Sequence, residues 1–249
     1  MLDCYLDERG SSAAFLPGGG VHFERVRAAH IDPALCPTDA RAFAGIVISG
    51  SAAHILERRP WMLALERLVR SAHTHRVPTL GVCFGHQLIA SALLGPGALR
   101  PMPEPEYGWR ELELLRPGGF LARALHAVGT PEDPRPRLVF VSHSDEVVLG
   151  APGSSELLVH ARSACSAVQA YQVRGTPIFG LQFHSELPLD EARELFVERT
   201  TTGPERWTLL DRSRMLQRAV DRSALWRQLF GRHLDLCGLR PGIELRRAG

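Results

Sequence analysis

The sequence predicts a three-layer α/β fold, with a mostly parallel central sheet and helices on both faces. Short apolar, β-branched runs alternate along the chain with segments of helical periodicity, the pattern that βαβ units produce. Two of those runs, 45–49 and 77–82, are apolar nearly throughout, as strands covered on both faces are. At 249 residues, 45% hydrophobic and 22% charged, the chain can bury one sizeable core without metal or disulfide staples.

The elements follow in order. The first strand, Gly-Ile-Val-Ile-Ser at 45–49, runs into the loop Gly50-Ser51-Ala52. A helix begins near Pro60, whose fixed φ suits a first turn, and Trp61, Leu63, Leu65, Leu68 and Val69 give it an apolar face. The second strand, 77–82, ends at Cys83 and passes at once into the helical stretch 87–94, which Gly95 stops. After Tyr107-Gly108-Trp109 the pattern changes to shorter strands at 112–115, 138–141, 157–160, 167–173 and 178–183, with turn-forming stretches at 131–136 and 151–154. Gly18-Gly19-Gly20 reads as a short loop. Beyond Leu187 the chain is arginine-rich, and Leu216, Val220, Leu225, Trp226, Leu229, Phe230 and His233 fall at near-helical steps, predicting an amphipathic helix docked on the body. Residues 1–188 are therefore expected to form one domain and 189–249 a helical C-terminal extension packed on it.

Composition excludes several mechanisms. Every Lys/Arg-type cation is arginine, so a lysine Schiff base and a lysine-dependent P-loop are ruled out. A formal charge of +2 is too small to imply nucleic-acid binding. Cys4, Cys36, Cys83, Cys165 and Cys237 are odd in number and lack a Cys-x-x-Cys pair, which suggests neither a disulfide framework nor a zinc knuckle and fits a reducing compartment. His73 and His75 have no ligand partners at zinc spacing, so no metal and no cofactor are expected. The N-terminus lacks the basic and apolar regions of a signal peptide, and no apolar run approaches the roughly 20 residues that span a bilayer. A cytoplasmic location without membrane contact is the expectation.

Two motifs carry chemistry. Gly81-Val82-Cys83-Phe84-Gly85 sets a cysteine between two glycines where a buried strand meets a helix. A sharp strand-to-helix turn forces its central residue into a strained conformation and needs small residues two positions away, as in the nucleophile elbow of serine hydrolases. The helix N-terminus there favours the thiolate form. Two backbone donors could hold an oxyanion: the N–H of Phe84 and one from the Gly50-Ser51 loop. The second motif, Gly180-Leu181-Gln182-Phe183-His184-Ser185-Glu186, supplies an imidazole and a carboxylate. In extended chain, residues two apart share a face, so Glu186 can reach one ring nitrogen while the other faces Cys83. Alternatively, Cys83 is a buried structural cysteine and His184 one more of eleven histidines.

Together the motifs resemble the class I glutamine amidotransferases, in particular the GMP-synthase-like, free-standing branch that includes γ-glutamyl peptidases. The likeness runs from Ile46 to Glu186. It rests on Ile48-Ser49-Gly50-Ser51 with Pro60-Trp61, on 81–90, on Glu106-Tyr107-Gly108-Trp109, on 142–147, on 164–170 and on 180–186. The resemblance implies a flavodoxin-like fold and a triad of Cys83, His184 and Glu186. It also implies an oxyanion loop at Gly50, Ser51 and Phe84, and substrate contacts from Gln87, Ser142, His143, Ser144 and Asp145. Two departures stand out. Many members carry a second glycine where this chain has Ser51, and Ser185 replaces the usual proline between the histidine and the glutamate. No ATP-pyrophosphatase domain follows, so a complete GMP synthase is not expected. Three functions stay open: a glutaminase delivering ammonia to a separate synthetase, a stand-alone γ-glutamyl hydrolase, and a silent binding protein of the same fold.

Overall fold

The structure, a computed structural model, describes residues 26–129, 137–150, 152–202 and 207–239. Cys4, the 18–20 glycine run, the turn expected at 131–136, Ala151 and residues 240–249 lie outside the described residues.

Among the described residues, six strands form one sheet in the order β1-β2-β8-β7-β6-β4. They are β1 (Ile46–Ile48), β2 (Thr79–Val82), β4 (Glu113–Leu114), β6 (Leu157–Arg162), β7 (Ala170–Val173) and β8 (Ile178–Leu181). β1, β2 and β8 are parallel neighbours, whereas β7, β6 and β4 continue the sheet antiparallel, so the sheet is mixed and its parallel half is the half that leads to Cys83 and His184. Strand alternation splits the core in two. Ile46 and Ile48 point to one face, under α1 (Pro60–His75) and α2 (Phe84–Leu94). Val47, Leu80 and Val82 point to the other, under α3 (Phe120–Val128) and α6 (Ser223–Leu236). This is the three-layer arrangement expected.

A separate two-stranded ribbon pairs β3 (Leu99–Glu111) with β5 (Leu138–Val147), antiparallel. Between Gly95 and Leu112 the sequence pattern placed no strand, and Pro101, Pro103 and Pro105 give this segment none of the signal that a strand interior carries. The ribbon accommodates them through a register shift between Pro101 and Glu106. β5 also runs six residues past the expected end at Val141, since 142–146 are polar yet mostly buried. α3 was not anticipated: only Leu121, Ala124 and Leu125 mark its buried face, too short a run for a periodicity argument.

Beyond Leu187 the described residues form three helices: α4 (Leu189–Thr202), α5 (Leu209–Leu216) and α6. The single helix expected over 216–233 is broken, with Leu216 ending α5 and Val220 in the connection. A Thr208–Asp211 capping box starts α5 as a helix in its own right. α4 sets Ala192 and Phe196 against Trp109 and Phe140 of the ribbon, with the Trp109 and Phe196 rings 5.9 Å apart. α6 packs Leu225, Trp226 and Leu229 against the sheet face that α3 also covers. No helix among the described residues is long and apolar enough to cross a membrane.

Candidate active site

Strands β1, β2 and β8 end side by side at Ile48, Val82 and Leu181, and each hands the chain to a segment singled out from sequence. Ligands bind outside the carboxyl ends of strands in open α/β sheets. Cys83 directly follows β2 and precedes α2, with φ 48° and ψ −103°, a left-handed, strained conformation for a residue with a side chain. Its N–H donates to the Leu181 carbonyl at 2.7 Å, and its carbonyl accepts from the Gln87 N–H at 3.1 Å, so both neighbouring elements fix it.

The two flanking glycines are sterically required. A Cβ on Gly85 would lie 2.0 Å from the Ile48 carbonyl oxygen, and one on Gly81 2.5 Å from the Gly85 backbone. That close approach of α2 to the end of β1 brings the loop holding Gly50 and Ser51 beside the start of α2. Ser51 Oγ accepts from the Ala53 N–H at 3.1 Å, which shapes this loop. Phe84 is buried against Trp61, ring centroids 5.3 Å apart, anchoring the residue after the cysteine.

His184 is held across the site by an isolated antiparallel bridge to Phe140, its N–H donating to the Phe140 carbonyl at 2.8 Å. Its Nδ1 lies 2.5 Å from Glu186 Oε1. Burial disfavours a charged ring, but the Glu186 carboxylate and the Cys83 sulfur outweigh it and push the His184 pKa up to about 10. The ring is thereby held toward its charged form, with Cys83 on one side and Glu186 on the other. Cys83 Sγ also lies 3.7 Å from the Ser142 carbonyl. Side chains far apart in the linear order thus converge on one spot.

A family model of the class I glutamine amidotransferases matches residues 20–201, most of the chain and all of this site. The chain belongs to this family. A GMP synthase from Parafrankia is 28% identical over 88% of the chain but over only 39% of its own length. A glutamine-hydrolysing GMP synthase subunit from Methanopyrus kandleri is 34% identical over 62% of the chain and 73% of its own length. The chain thus spans well under half of the full-length synthases it matches. Among solved structures, glutamine amidotransferases from Methylobacillus flagellatus and Thermotoga maritima align with TM-scores of 0.60 and 0.57 at 22% and 21% identity. They cover 85% and 76% of this chain, and 84% and 78% of their own, and they share its fold.

The remaining residues expected to contact substrate lie around Cys83 and His184, and most have partners within the protein. Gln87 Nε2 donates to the Asp145 carbonyl at 2.8 Å and to Gln182 Oε1 at 3.2 Å, tying the first turn of α2 to β5 and to the segment before His184. His143 is buried, with Nε2 3.1 Å from Glu106 Oε2 and Nδ1 3.1 Å from the Asp145 carbonyl. Asp145 Oδ2 lies 3.2 Å from His54 Nδ1, and Ser144 Oγ 3.5 Å from the same nitrogen.

Glu106 and His54 were not singled out from sequence. Glu106 is 1% exposed and accepts hydrogen bonds from Ser163 at 2.9 Å and Gln169 at 2.7 Å besides its contact with His143. Burial would raise its pKa, but the hydrogen bond and charge of His143, helped by Ser163 and Arg110, hold it below the usual carboxylate range. Both Glu106 and Gln169 fall in segments that carry the family likeness, which was the available signal. His54 sits in an irregular loop after β1 and gave none.

Proposed function

We propose that this chain hydrolyses the side-chain amide of glutamine through Cys83, His184 and Glu186. The observation that carries the reading is the geometry at the carboxyl end of the parallel strands: a strained elbow cysteine beside a histidine ring that a carboxylate holds by a 2.5 Å contact. The Cys83 thiolate attacks the γ-carbonyl, forming a C–S bond, and the oxyanion is held by the Phe84 N–H and the Gly50-Ser51 loop. His184 gives its proton to the departing nitrogen as the C–N bond breaks, so ammonia leaves and a γ-glutamyl thioester remains. Water then attacks the thioester. His184 takes the water proton, the C–S bond breaks, and glutamate and the thiolate are released. Glu186 fixes the ring orientation and stabilises its charge.

Gln87 and the segment Ser142, His143, Ser144, Asp145 are assigned to the glutamyl side of the site, with Gln87, His143 and Glu106 acting by positioning the rest. The chain is read as an amidotransferase domain at 1–188 with a helical extension at 189–249, acting in the cytoplasm. Several relatives are named as one subunit of a glutamine-hydrolysing GMP synthase. That supports ammonia delivery to a separate synthetase as the purpose of the reaction. Ammonia release measured from glutamine and from γ-glutamyl conjugates, with and without a candidate synthetase and its acceptor, tests this. A slow glutaminase rate that rises when synthetase and acceptor are added is expected. Rapid unaided cleavage of a conjugate would instead make the chain a γ-glutamyl hydrolase, and no turnover of either would make it a binding protein.

A further inference from the structure

At the opposite end of the parallel strands from Cys83 lies a cavity of about 550 Å³, in the size range of small-molecule sites. Pro78 and Pro177, immediately before β2 and β8, mark it as belonging to the amino ends of those strands. Its walls come from α3 and α6. The floor is apolar, with Leu80 and Leu229 buried and Phe120 and Phe179 meeting edge to face at 4.7 Å between ring centroids.

The rim has the opposite character. Arg76, Arg123 and Arg232 line it, from the end of α1, from α3 and from α6, and among the described residues no Asp or Glu does. Among the described residues, none of these three guanidinium groups pairs with a carboxylate, in a protein where Arg58, Arg70, Arg100 and Arg162 all do. Three guanidinium groups without a carboxylate among the described residues give the rim a positive potential that favours an anion, and Arg123 Nη1 donates to the Gly118 carbonyl. Arg76 further occupies a left-handed position, φ 55°, where glycine is the less strained residue. On the wall, His233 is 4% exposed, and its Nδ1 has no hydrogen-bond partner among the described residues. A buried polar atom of that kind calls for a partner.

We infer that this cavity binds a small organic anion. An apolar ring or chain seats on Leu80, Phe120, Phe179 and Leu229, and a carboxylate, phosphate or sulfonate group faces the arginines, which suit such groups by their forked donors. The site shares no residue with the proposed triad, so its existence does not depend on the glutaminase reading.

The test uses 8-anilinonaphthalene-1-sulfonate as the probe, titrated into the intact chain by calorimetry and fluorescence. Saturable binding at one site per chain is expected below about 1 mM. Arg123→Ala and Arg232→Ala are exposed substitutions and should keep the fold by circular dichroism. Each should weaken binding by about tenfold, and Gln228→Glu on the same rim should also weaken it. N-phenyl-1-naphthylamine, the same rings without the sulfonate, should bind at least about tenfold more weakly. Absence of saturation, undiminished affinity in folded arginine variants, or equal affinity for the uncharged rings would overturn the inference.

Discussion

Gly85→Ala probes whether the elbow geometry underlies catalysis. The added Cβ would lie 2.0 Å from the Ile48 carbonyl oxygen, 2.8 Å from its carbon and 2.9 Å from the Ile48 Cβ. Real Cβ contacts stay beyond 3.0 Å, so α2 and the end of β1 must separate by about 1 Å. All three obstructing atoms belong to a strand end whose own pairing with β2 is fixed, so no flexible side chain can absorb the clash. Overpacking of this kind costs about 1–3 kcal/mol, or a fall in Tm of about 3–10 °C for a chain this size. The catalytic consequence is larger, because Phe84 and Cys83 move with α2 while the Gly50-Ser51 loop moves with β1. Displacement of reacting groups by about 1 Å costs about 10²-fold in rate. Gly97→Ala is the matched control, since nothing lies within 4 Å of a Cβ there. Ammonia release from glutamine and thermal unfolding of both variants give the readout. A Gly85→Ala protein with the rate and Tm of the Gly97→Ala protein would refute the argument.

Glu186→Gln keeps the shape beside His184 but removes the charge that raises its pKa, so kcat should fall by about 10²–10⁴-fold in the glutaminase assay. The same variant has a pH signature. Despite burial, the Glu186 carboxylate and the Cys83 sulfur push the His184 pKa up to about 10 from an ordinary 6.5, so the stability from its charge is complete below pH 6.5 and is lost as pH rises toward 10. Urea unfolding from pH 6.5 to 9.5 should show that decline in the wild type and a shallower one in Glu186→Gln. Glu106→Ala leaves His143, Ser163 and Gln169 facing a buried void and should cost about 3–5 kcal/mol in urea unfolding at pH 7. Ending the chain after residue 188 exposes Trp109, Phe140 and Leu121, so the product should not fold; a cooperative unfolding transition in that fragment would show the extension to be dispensable.

What the sequence revealed was whatever local sterics dictate. The Gly81-Cys83-Gly85 spacing encodes an elbow, because only glycine fits the two close approaches, and the structure has both. The His184–Glu186 contact is present as expected, although Ser185 and Glu186 form bends rather than the extended step from which it was argued. The ribbon of β3 and β5 was not legible over 99–106, where prolines suppress a strand signal and the partner strand's register supplies the order instead. The break between α5 and α6 was hidden for a similar reason: Leu216 and Val220 continue an apolar spacing across a connection in which both still pack against the ribbon's apolar cluster. Glu106 stayed invisible because its partners, His143, Ser163 and Gln169, lie 37, 57 and 63 residues away. Only the tertiary fold gathers them.

Covalent capture of the nucleophile addresses the proposed chemistry most directly. The chain is incubated with a γ-glutamyl chloroketone, with and without excess glutamine, and digested for mass spectrometry. A single glutamyl-ketone adduct on the peptide carrying Cys83 is expected, protected by glutamine and lost in His184→Asn. Labelling that ignores glutamine, or that falls on the exposed Cys165 rather than on Cys83, would contradict the account.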